Sequence, residues 1–228
     1  MFDIAITTMN KKRPDGKTTY LGLLLESIKK TAPADLEYKI HIVSNVSPYA
    51  AAVNKVLQEC HNDTLLLNDD IIMLPGREQI LDGYGDIRGF LLLYPDKITI
   101  QHAGASFDGE FCSRHVGQYS LNCGQFQVVA PMPYVTFGAV FLKAGVYEAL
   151  GPITSFSKIF FEDADYCLRA WKAGYKVIYH PIELIHDEAA TMGKGAWPQF
   201  QRKWRSAETI DMLREKIMEA WFWLKSQE

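Results

Sequence analysis

The chain has 228 residues, of which 48% are hydrophobic and 22% are charged, and its formal net charge is −3. This length and composition are typical of one globular domain, or of a domain with a small appendage. A net charge of −3 gives no general attraction to nucleic acids, so such a partner would require a local basic patch. The four cysteines are widely spaced and include no CxxC pair, which argues against a disulfide framework and favours a reducing, cytoplasmic setting.

The amino-terminal half predicts alternating strands and helices. Segment 2–7 predicts a strand, because it lacks the basic leader and long apolar core of a signal peptide. Hydrophobic periodicity and helix-start residues predict four further elements: a helix over 20–32, a strand over 37–45, a helix over 49–60 and a strand over 64–69. This β-α-β-α-β order with short connections predicts a parallel sheet with helices on its faces.

The second half of the chain predicts a mixture of strands, loop and helix. Segments 88–95 and 128–143 are rich in strand-forming residues, and the polar, glycine-dotted stretch between them predicts a loop over a site. Segment 162–174 predicts a helix that ends at Gly174, and segment 175–180 predicts the strand after it. No uncharged apolar stretch approaches the ~20 residues that cross a bilayer, so we expect a soluble chain without a transmembrane segment.

The carboxy-terminal segment 206–228 predicts an amphipathic helix. Its apolar residues at helical spacing are Ile210, Leu213, Ile217, Trp221 and Leu224. The opposite face mixes acidic and basic residues, unlike the basic face of a helix that lies on a membrane. We therefore expect this helix to pack on the core or on a partner in a homodimer, and we divide the chain into a domain of residues 1–205 and a helix of residues 206–228.

Two adjacent carboxylates, Asp69 and Asp70, end the apolar run of the third predicted strand. Adjacent ionised carboxylates repel and burial raises the cost, so they either reach solvent in a turn or face a positive charge. In parallel α/β sheets, ligands bind at the carboxyl ends of strands, where oxygen ligands suit Mg²⁺ or Mn²⁺. On these two residues alone the turn is the better interpretation, because Asn and Asp are common at strand-to-turn boundaries.

Further motifs change this interpretation. They are LLLNDDIIMLPG at 65–76, LYPDKITIQHAGASF at 93–107, YVTFGAVFLKAGVYEALG at 134–151, FFEDADYCLRAWKAGYKVIYHPIELIHDEAAT at 160–191 and FQRKW at 200–204. This ordered set resembles the family 2 glycosyltransferases, particularly the bacterial rhamnosyltransferase-like members. The resemblance implies a GT-A fold, which is a Rossmann-like α/β domain with a mostly parallel central sheet, helices on both faces and here a C-terminal helical tail. It also implies hexosyl or deoxyhexosyl transfer from a nucleotide diphosphate sugar to an acceptor hydroxyl.

The resemblance assigns acid–base chemistry to the acidic residues that open the helix at 162. Asp163 is then the general base of an inverting transfer, while Glu162 and Asp165 orient the acceptor or support the loop. A helix amino terminus favours the ionised carboxylate and lowers its basicity, so we expect partial desolvation by Phe160 and Phe161. Without the neighbouring motifs, acidic residues in a first helical turn would be interpreted as helix-stabilising.

The resemblance assigns the divalent cation, Mn²⁺ or Mg²⁺, to Asp70 and His186. Such a cation neutralises charge on the departing diphosphate. Asn68 occupies the first position of the D-x-D-like motif, where it adds a hydrogen-bonding group but no charge. His102 and Gly138 are assigned to the acceptor.

The donor side departs from the family pattern. Its predicted contacts are Thr8, Asn10, Asn45, Asn54, Asn68 and Asp69. Family members usually carry an acidic residue that reads the nucleotide base in the turn after the second strand, whereas this chain has VSNVSP there. Uridine or deoxythymidine diphosphate sugars are the family default.

Two alternatives remain open. The acceptor hydroxyl can belong to a glycan, a lipid-linked saccharide or a modified nucleic-acid base, and only the basic loop at 11–17 and QRKWR at 201–205 hint at nucleic acid. The loop is more simply interpreted as solvated. The second alternative is a nucleotide-sugar-binding module that has lost turnover, which Asn68 and the missing base-reading carboxylate motivate.

Overall fold

The structure is a computed structural model that describes residues 1–33, 35–75, 78–108, 111–157, 160–187 and 197–227. Its strands are β1 (Phe2–Thr8), β2 (Tyr38–Ser44), β3 (Thr64–Asn68), β4 (Ile71–Ile72), β5 (Ile87–Leu93), β6 (Ile100–His102), β7 (Ala105–Phe107), β8 (Ser113–His115), β9 (Ala130–Pro131), β10 (Ala139–Leu142) and β11 (Val177–His186). Its helices are α1 (Tyr20–Thr31), α2 (Tyr49–Leu57), α3 (Val146–Leu150), α4 (Glu162–Lys172), α5 (Trp197–Trp204) and α6 (Ala207–Lys225), with a short 3-10 helix over Glu78–Leu81.

One large sheet organises the chain. Its strand order is β2-β1-β3-β10-β5-β11-β4, with β6 added beside β5 and β9 beside β11. Strands β2, β1, β3, β5 and β11 run in one direction, whereas β10 and β4 run against them. The predicted α/β class with a mostly parallel central sheet is therefore confirmed. Because the parallel strands share a direction, their carboxyl ends meet at one edge of the sheet.

The two faces of the sheet carry separate apolar clusters. In β3, Leu66 belongs to one cluster, whereas Leu65 and Leu67 belong to the other, as expected when successive side chains of a strand point to opposite faces. Leu24 of α1 packs into the second cluster, and Val53 of α2 packs into the first. Helices cover both faces, and this coverage explains why the central strands are continuous apolar runs.

Strand β11 differs from its prediction in length. Segment 175–180 predicts a strand that stops before Pro181, but the observed strand runs from Val177 to His186. The ladder with β5 shifts register between His180 and Glu183, because Pro181 has no backbone N–H to donate. The strand then continues, so His186 lies in a strand paired with Ile71 of β4.

The region 128–143 is also less regular than its strand-rich sequence predicts. Only β9 and β10 are strands there, and segment 132–138 connects them without regular structure. Since β10 pairs antiparallel with β3 and β5, it starts at the sheet edge where those strands end. Segment 132–138, which precedes β10, therefore ends at that edge.

Helix α6 packs on the core. Leu213, Ala220 and Leu224 are buried in the same cluster as α2 and α4, while Trp223 meets the Tyr84 ring with centroids 5.8 Å apart. Phe222 is 69% exposed. The division at residue 205 and the homodimer stay predictions. Within the described parts of the chain, none of the helices combines the length and the apolar character that crossing a bilayer requires.

The buried carboxylate of Asp3 makes several hydrogen bonds at the edge of the sheet opposite the carboxyl ends of the parallel strands. Asp3 of β1 accepts hydrogen bonds from His61 N at 2.9 Å and from Asn62 N at 3.0 Å, and its other oxygen lies 3.0 Å from His41 Nε2. Burial by itself raises the pKa of Asp3, but the hydrogen bonds from Asn62, His61 and His41 outweigh it and lower the pKa to about 2.

We predict that Asp3→Asn lowers the free energy of unfolding at pH 7 by roughly 2 kcal/mol, because charge-assisted hydrogen bonds are lost from a buried site. The pKa of Asp3 in the fold lies below its ordinary value, so its ionisation stabilises the fold above pH 3.8 and this contribution is lost as the pH falls toward 2. Denaturant titrations at pH 5 and pH 3 should show a smaller difference between wild type and variant at pH 3. The exposed Asp35→Asn is the matched control; an equal difference at both pH values would contradict the prediction.

Candidate active site

The carboxyl ends of β1, β3 and β11 bring together the predicted donor and metal residues. Asp70, two residues beyond β3, is buried, and its Oδ1 lies 3.1 Å from Nε2 of His186 at the end of β11. The backbone also connects the two segments, since the N–H of Asp187 donates to the carbonyl oxygen of Asp70 at 2.9 Å. The residues predicted to hold a cation are therefore neighbours, although they are 116 positions apart in the sequence.

The adjacent carboxylate of Asp69 has a different set of partners. The hydroxyl of Thr8 donates to Asp69 Oδ2 and accepts from the N–H of Asn10 at 2.8 Å. Burial raises the pKa of Asp69, the Thr8 hydrogen bond lowers it, and the charge on Asp70 raises it further. The two neighbouring carboxylates have different partners, because Asp69 contacts Thr8 of β1 and Asp70 contacts His186 of β11.

Two consecutive residues before β10 lie between the predicted metal ligands and the acidic pair of α4. The backbone N–H of Phe137 lowers the pKa of Asp163, and the Phe137 carbonyl oxygen accepts a hydrogen bond from the Tyr49 hydroxyl at 2.8 Å. A Cβ on the next residue, Gly138, would lie 3.3 Å from Cε1 of His186, so the glycine permits close approach of the imidazole. Adjacent residues thus contact the predicted base and a predicted metal ligand.

The pKa of Tyr49 also depends on acidic residues from both groups. Burial raises the pKa of its phenol, and the negative charges of Glu162, Asp163 and Asp70 raise it further. All three carboxylates therefore act on a single phenol. The acids after β3 and those at the start of α4 therefore lie within electrostatic range of the same side chain.

The acidic pair is only partly open to solvent. Glu162 is 5% exposed and Asp163 is half-buried, with Asp163 Oδ1 accepting from the N–H of Ala164 at 2.7 Å. Burial raises the pKa of both carboxyls, and the charge on Asp163 adds to the rise at Glu162. Hydrogen bonds and the charge on His115 oppose the rise at Asp163 without cancelling it. A raised pKa makes a carboxylate a better proton acceptor near neutral pH.

The histidine pair lies between the two halves of the site. Nε2 of His102 accepts from the N–H of Thr136 at 3.3 Å, and the rings of His102 and His115 meet edge to face with centroids 4.8 Å apart. Burial lowers the pKa of His102 well below its usual value, and charges on His115 and His186 add to this. His102 is therefore neutral, with a buried Nδ1 that has no hydrogen-bond partner among the residues described.

The backbone before the acidic pair is held in an unusual conformation. Phe160 and Phe161 have φ angles of 103° and 68°, which bulky residues rarely adopt. The ring of Phe161 stacks on Phe200 of α5 with centroids 4.9 Å apart, whereas Phe160 is 42% exposed. Phe161 therefore belongs to the apolar surround predicted for the acids, while Phe160 faces solvent.

Asp165 is a structural residue rather than part of the open site. Its carboxylate is fully buried and lies 2.5 Å from Lys203 Nζ, 2.7 Å from Trp204 Nε1 and 3.1 Å from Arg169 Nε. With these donors in place, the predicted acceptor contact of Asp165 has no support. Its carboxylate instead attaches α5 to α4.

The predicted donor residues divide into two groups. Asn10 and Asn45 have left-handed backbones with φ angles of 53° and 57°, and the N–H of Asn45 donates to the Thr8 carbonyl at the sheet edge. Asn54 lies elsewhere: its side chain donates to the carbonyl oxygen of Ile153 at 2.9 Å and accepts from the N–H of Ile153 at 2.7 Å. Both amide atoms of Asn54 are used in this connection, so its predicted donor contact has no support.

Several residues of the candidate site were not predicted from the sequence. Arg13, interpreted as part of a solvated loop, pairs with Asp187 at 2.9 Å and is only 31% exposed. Tyr49 and Gln101 also belong to the site, because Tyr49 bonds Phe137 and Gln101 Oε1 lies 2.5 Å from His186 Nδ1. A polar residue in the buried strand β6 is the signal that marks Gln101, which is 5% exposed.

The donor set at Asp70 and His186 fits a divalent cation. A carboxylate oxygen and an imidazole nitrogen suit Mn²⁺, and a site with few protein ligands leaves positions for diphosphate oxygens and water. A second group, Asp3, His41 and Cys60, has ligand atoms within 4.8 Å of one another. Hydrogen bonds already satisfy Asp3, and burial raises the pKa of the Cys60 thiol to about 12, so this group is explained as a structural cluster.

Comparison with known proteins supports the fold. No model of a known protein family matches the chain. A relative from Sinorhizobium fredii (strain NBRC 101917 / NGR234), Uncharacterized protein y4gI, is 27% identical over an alignment of 195 residues that covers 78% of this chain and 21% of that protein. The crystal structure of GalNAc-T7 with UDP, GalNAc and Mn²⁺ is similar with a TM-score of 0.63 at 10% identity, over 88% of this chain and 48% of that chain. S. aureus TarS 1–349 has a TM-score of 0.48 at 13% identity, over 79% of this chain and 60% of that chain.

The likeness to GalNAc-T7 confirms the predicted GT-A fold. The chain spans about half the length of that protein and about a fifth of the length of the S. fredii relative.

We predict opposite stability effects for two neighbouring acids of α4. Asp165→Ala should lower the free energy of unfolding by about 2–3 kcal/mol, because it leaves the buried indole N–H of Trp204 without an acceptor and removes the ion pair with Lys203. Asp163→Asn should raise it by about 1 kcal/mol at pH 8, because the variant removes one of two buried like charges. Denaturant unfolding measures both.

The pH dependence provides the check on the second variant. The pKa of Asp163 is raised in the fold, so its ionisation destabilises the fold at high pH, and the effect disappears as the pH falls below its ordinary value. The gain from Asp163→Asn should therefore be larger at pH 8 than at pH 5. A loss of stability at both pH values would contradict the interpretation.

Proposed function

We propose that the chain is an inverting, metal-dependent glycosyltransferase that moves a sugar from a nucleotide diphosphate donor to an acceptor hydroxyl. The observation that carries the proposal is the segment Phe137–Gly138: the Phe137 N–H lowers the pKa of Asp163, and the lack of a side chain on Gly138 leaves room for the imidazole of His186. A proton acceptor and a cation-binding pair are the two groups that this reaction requires. The GT-A fold supports the same reaction class.

In the proposed reaction, Asp163 removes the proton of the acceptor hydroxyl as its oxygen attacks the anomeric carbon of the donor sugar. The new carbon–oxygen bond forms on the face opposite the diphosphate, and the breaking bond leaves its electron pair on the diphosphate oxygen. Attack from the opposite face inverts the configuration. The raised pKa of Asp163 supports its role as base. Because Glu162 and Asp163 are neighbours, ionisation of both carboxyls is unfavourable, and the charge on Asp163 raises the pKa of Glu162.

Asp70 and His186 would hold the cation. When bound, Mn²⁺ or Mg²⁺ neutralises charge on the diphosphate leaving group. The 3.1 Å separation of Asp70 Oδ1 and His186 Nε2 supports this role. GalNAc-T7, which has the same fold, was crystallised with Mn²⁺.

We propose separate positions for donor and acceptor. The donor nucleotide would lie over the ends of β1 and β2, where Thr8, Asn10 and Asn45 meet, with Asn68 and Asp69 nearby. The crystallisation of GalNAc-T7 with UDP supports a uridine nucleotide, with deoxythymidine as the other family default. The acceptor hydroxyl would lie beside His102, whose neutral Nδ1 needs a hydrogen-bond partner.

Nucleic acid is the weaker choice of acceptor. Two of the basic residues that hinted at it are engaged within the protein, since Arg13 pairs with Asp187 and Lys203 pairs with Asp165. We therefore favour a hydroxyl of a glycan or a lipid-linked saccharide. The rhamnosyltransferase-like subfamily, the cytoplasmic setting and a functional domain of residues 1–205 remain part of the proposal.

We predict that Asp163→Asn abolishes sugar transfer and preserves donor binding, because the amide cannot accept the proton but keeps the shape of the carboxylate. The measurement is product formation and nucleotide release with the donor found in a thermal-shift screen of nucleotide diphosphate sugars, alongside donor affinity. The exposed Asp82→Asn is the control and should retain full activity. Transfer within tenfold of wild type by Asp163→Asn would remove the base assignment.

We predict that Asp70→Asn removes the cation-dependent part of donor binding. In wild type, Mn²⁺ with the donor nucleotide should raise the thermal midpoint above the value that either gives alone, by linkage. Asp70→Asn should lose that increment and Asp82→Asn should keep it. Full transfer by wild type in the presence of chelator would contradict metal dependence, and no transfer or donor hydrolysis under any of these conditions would favour the binding module that has lost turnover.

A further inference from the structure

We propose that Gln101 is a positioning residue for the cation site, acting through His186. The inference rests on the proposed metal dependence and adds a residue that no motif of the sequence assigned. It begins from one contact: Oε1 of Gln101 lies 2.5 Å from Nδ1 of His186, across 85 residues of sequence.

The contact selects one tautomer of the His186 imidazole. A carbonyl oxygen only accepts hydrogen bonds, so Nδ1 of His186 must carry the hydrogen that it donates to Gln101. In a neutral imidazole the other nitrogen, Nε2, then carries a lone pair. Nε2 lies 3.1 Å from Oδ1 of Asp70. The lone pair of Nε2 and the carboxylate oxygen can then both serve as ligands of a divalent cation.

Gln101 is itself fixed in position, so it can fix the orientation of the His186 ring. It is the middle residue of β6, between Ile100 and His102, both almost fully buried, and is itself 5% exposed. Strand β6 pairs with β5, which in turn pairs with β11, the strand that carries His186. The two side chains are therefore fixed relative to each other by the sheet.

Fold stability does not explain a glutamine at this position. Its amide nitrogen is buried and has no hydrogen-bond partner among the described residues, and such a group destabilises the fold. A methionine of similar length would avoid that cost. The glutamine is explained by what its oxygen does for His186, since metal-binding histidines depend on a partner at the second ring nitrogen to fix tautomer and orientation.

The decisive variants are Gln101→Met, which keeps the length but cannot accept, and Gln101→Glu, which can only accept. Mn²⁺ affinity is measured by the loss of the free-ion signal in electron paramagnetic resonance, with the donor nucleotide diphosphate present. We expect Gln101→Met to weaken Mn²⁺ binding about 10- to 100-fold and Gln101→Glu to match or exceed wild type. The exposed Gln58→Met, at the end of α2, should bind as wild type does.

A second measurement separates this proposal from the proposed function. Nitrogen-15 NMR of the metal-free protein at high pH reports the tautomer of His186. We expect the Nδ1–H form in wild type and a mixture in Gln101→Met. If wild type binds no Mn²⁺, the metal dependence fails but this tautomer result still supports the orienting role of Gln101. An Nε2–H form in wild type, or a wild-type tautomer and Mn²⁺ affinity in a folded Gln101→Met, would overturn the inference.

Discussion

The site depends on bringing several carboxylates to one edge of a sheet and giving each a different partner. Asp69 receives a hydrogen bond from Thr8, Asp70 faces His186, and Asp163 accepts from backbone N–H groups. Like charges at such short range are unfavourable unless each is neutralised or hydrogen-bonded. The raised pKa values at Asp69 and Asp163 show that the compensation is incomplete. A group of carboxylates that retains this unbalanced negative charge is suited to a cation and to a proton.

Strand β10 makes that arrangement geometrically feasible. A strand parallel to β3 would leave its amino end at the opposite edge, but β10 is antiparallel and begins where β3 ends. Of the residues before it, Thr136 donates a hydrogen bond to His102, the Phe137 N–H lowers the pKa of Asp163, and Gly138 lies beside His186. A Cβ at position 138 would lie 3.3 Å from Cε1 of His186, so the imidazole would have to shift by a few tenths of an ångström to accommodate it.

The sequence predicts the local parts of this structure better than its long-range contacts. The order of strands and helices in the amino-terminal half and the position of Asp69 and Asp70 after β3 follow from periodicity, whereas β6, β7 and β8 lie in or at the border of the stretch that was predicted to be a loop. The length of β11 does not, because Pro181 marks a strand end in isolation but is accommodated by a register shift beside β5. The roles of Asn54 and Asp165 were also missed, since helical spacing does not reveal a partner such as Ile153 or Lys203.

The conformation of the acidic pair depends on a helix that follows it in sequence by more than thirty residues. The left-handed backbone at Phe161 is unfavourable on its own, so surrounding contacts must hold it. Helix α5 supplies them twice, through the stack of Phe200 on Phe161 and through the donors that Lys203 and Trp204 give to Asp165. Because both contacts lie within one turn of Asp163, α5 fixes the start of α4 in position and direction. A chain that ended before α5 would retain Asp163 but not the contacts that fix the start of α4.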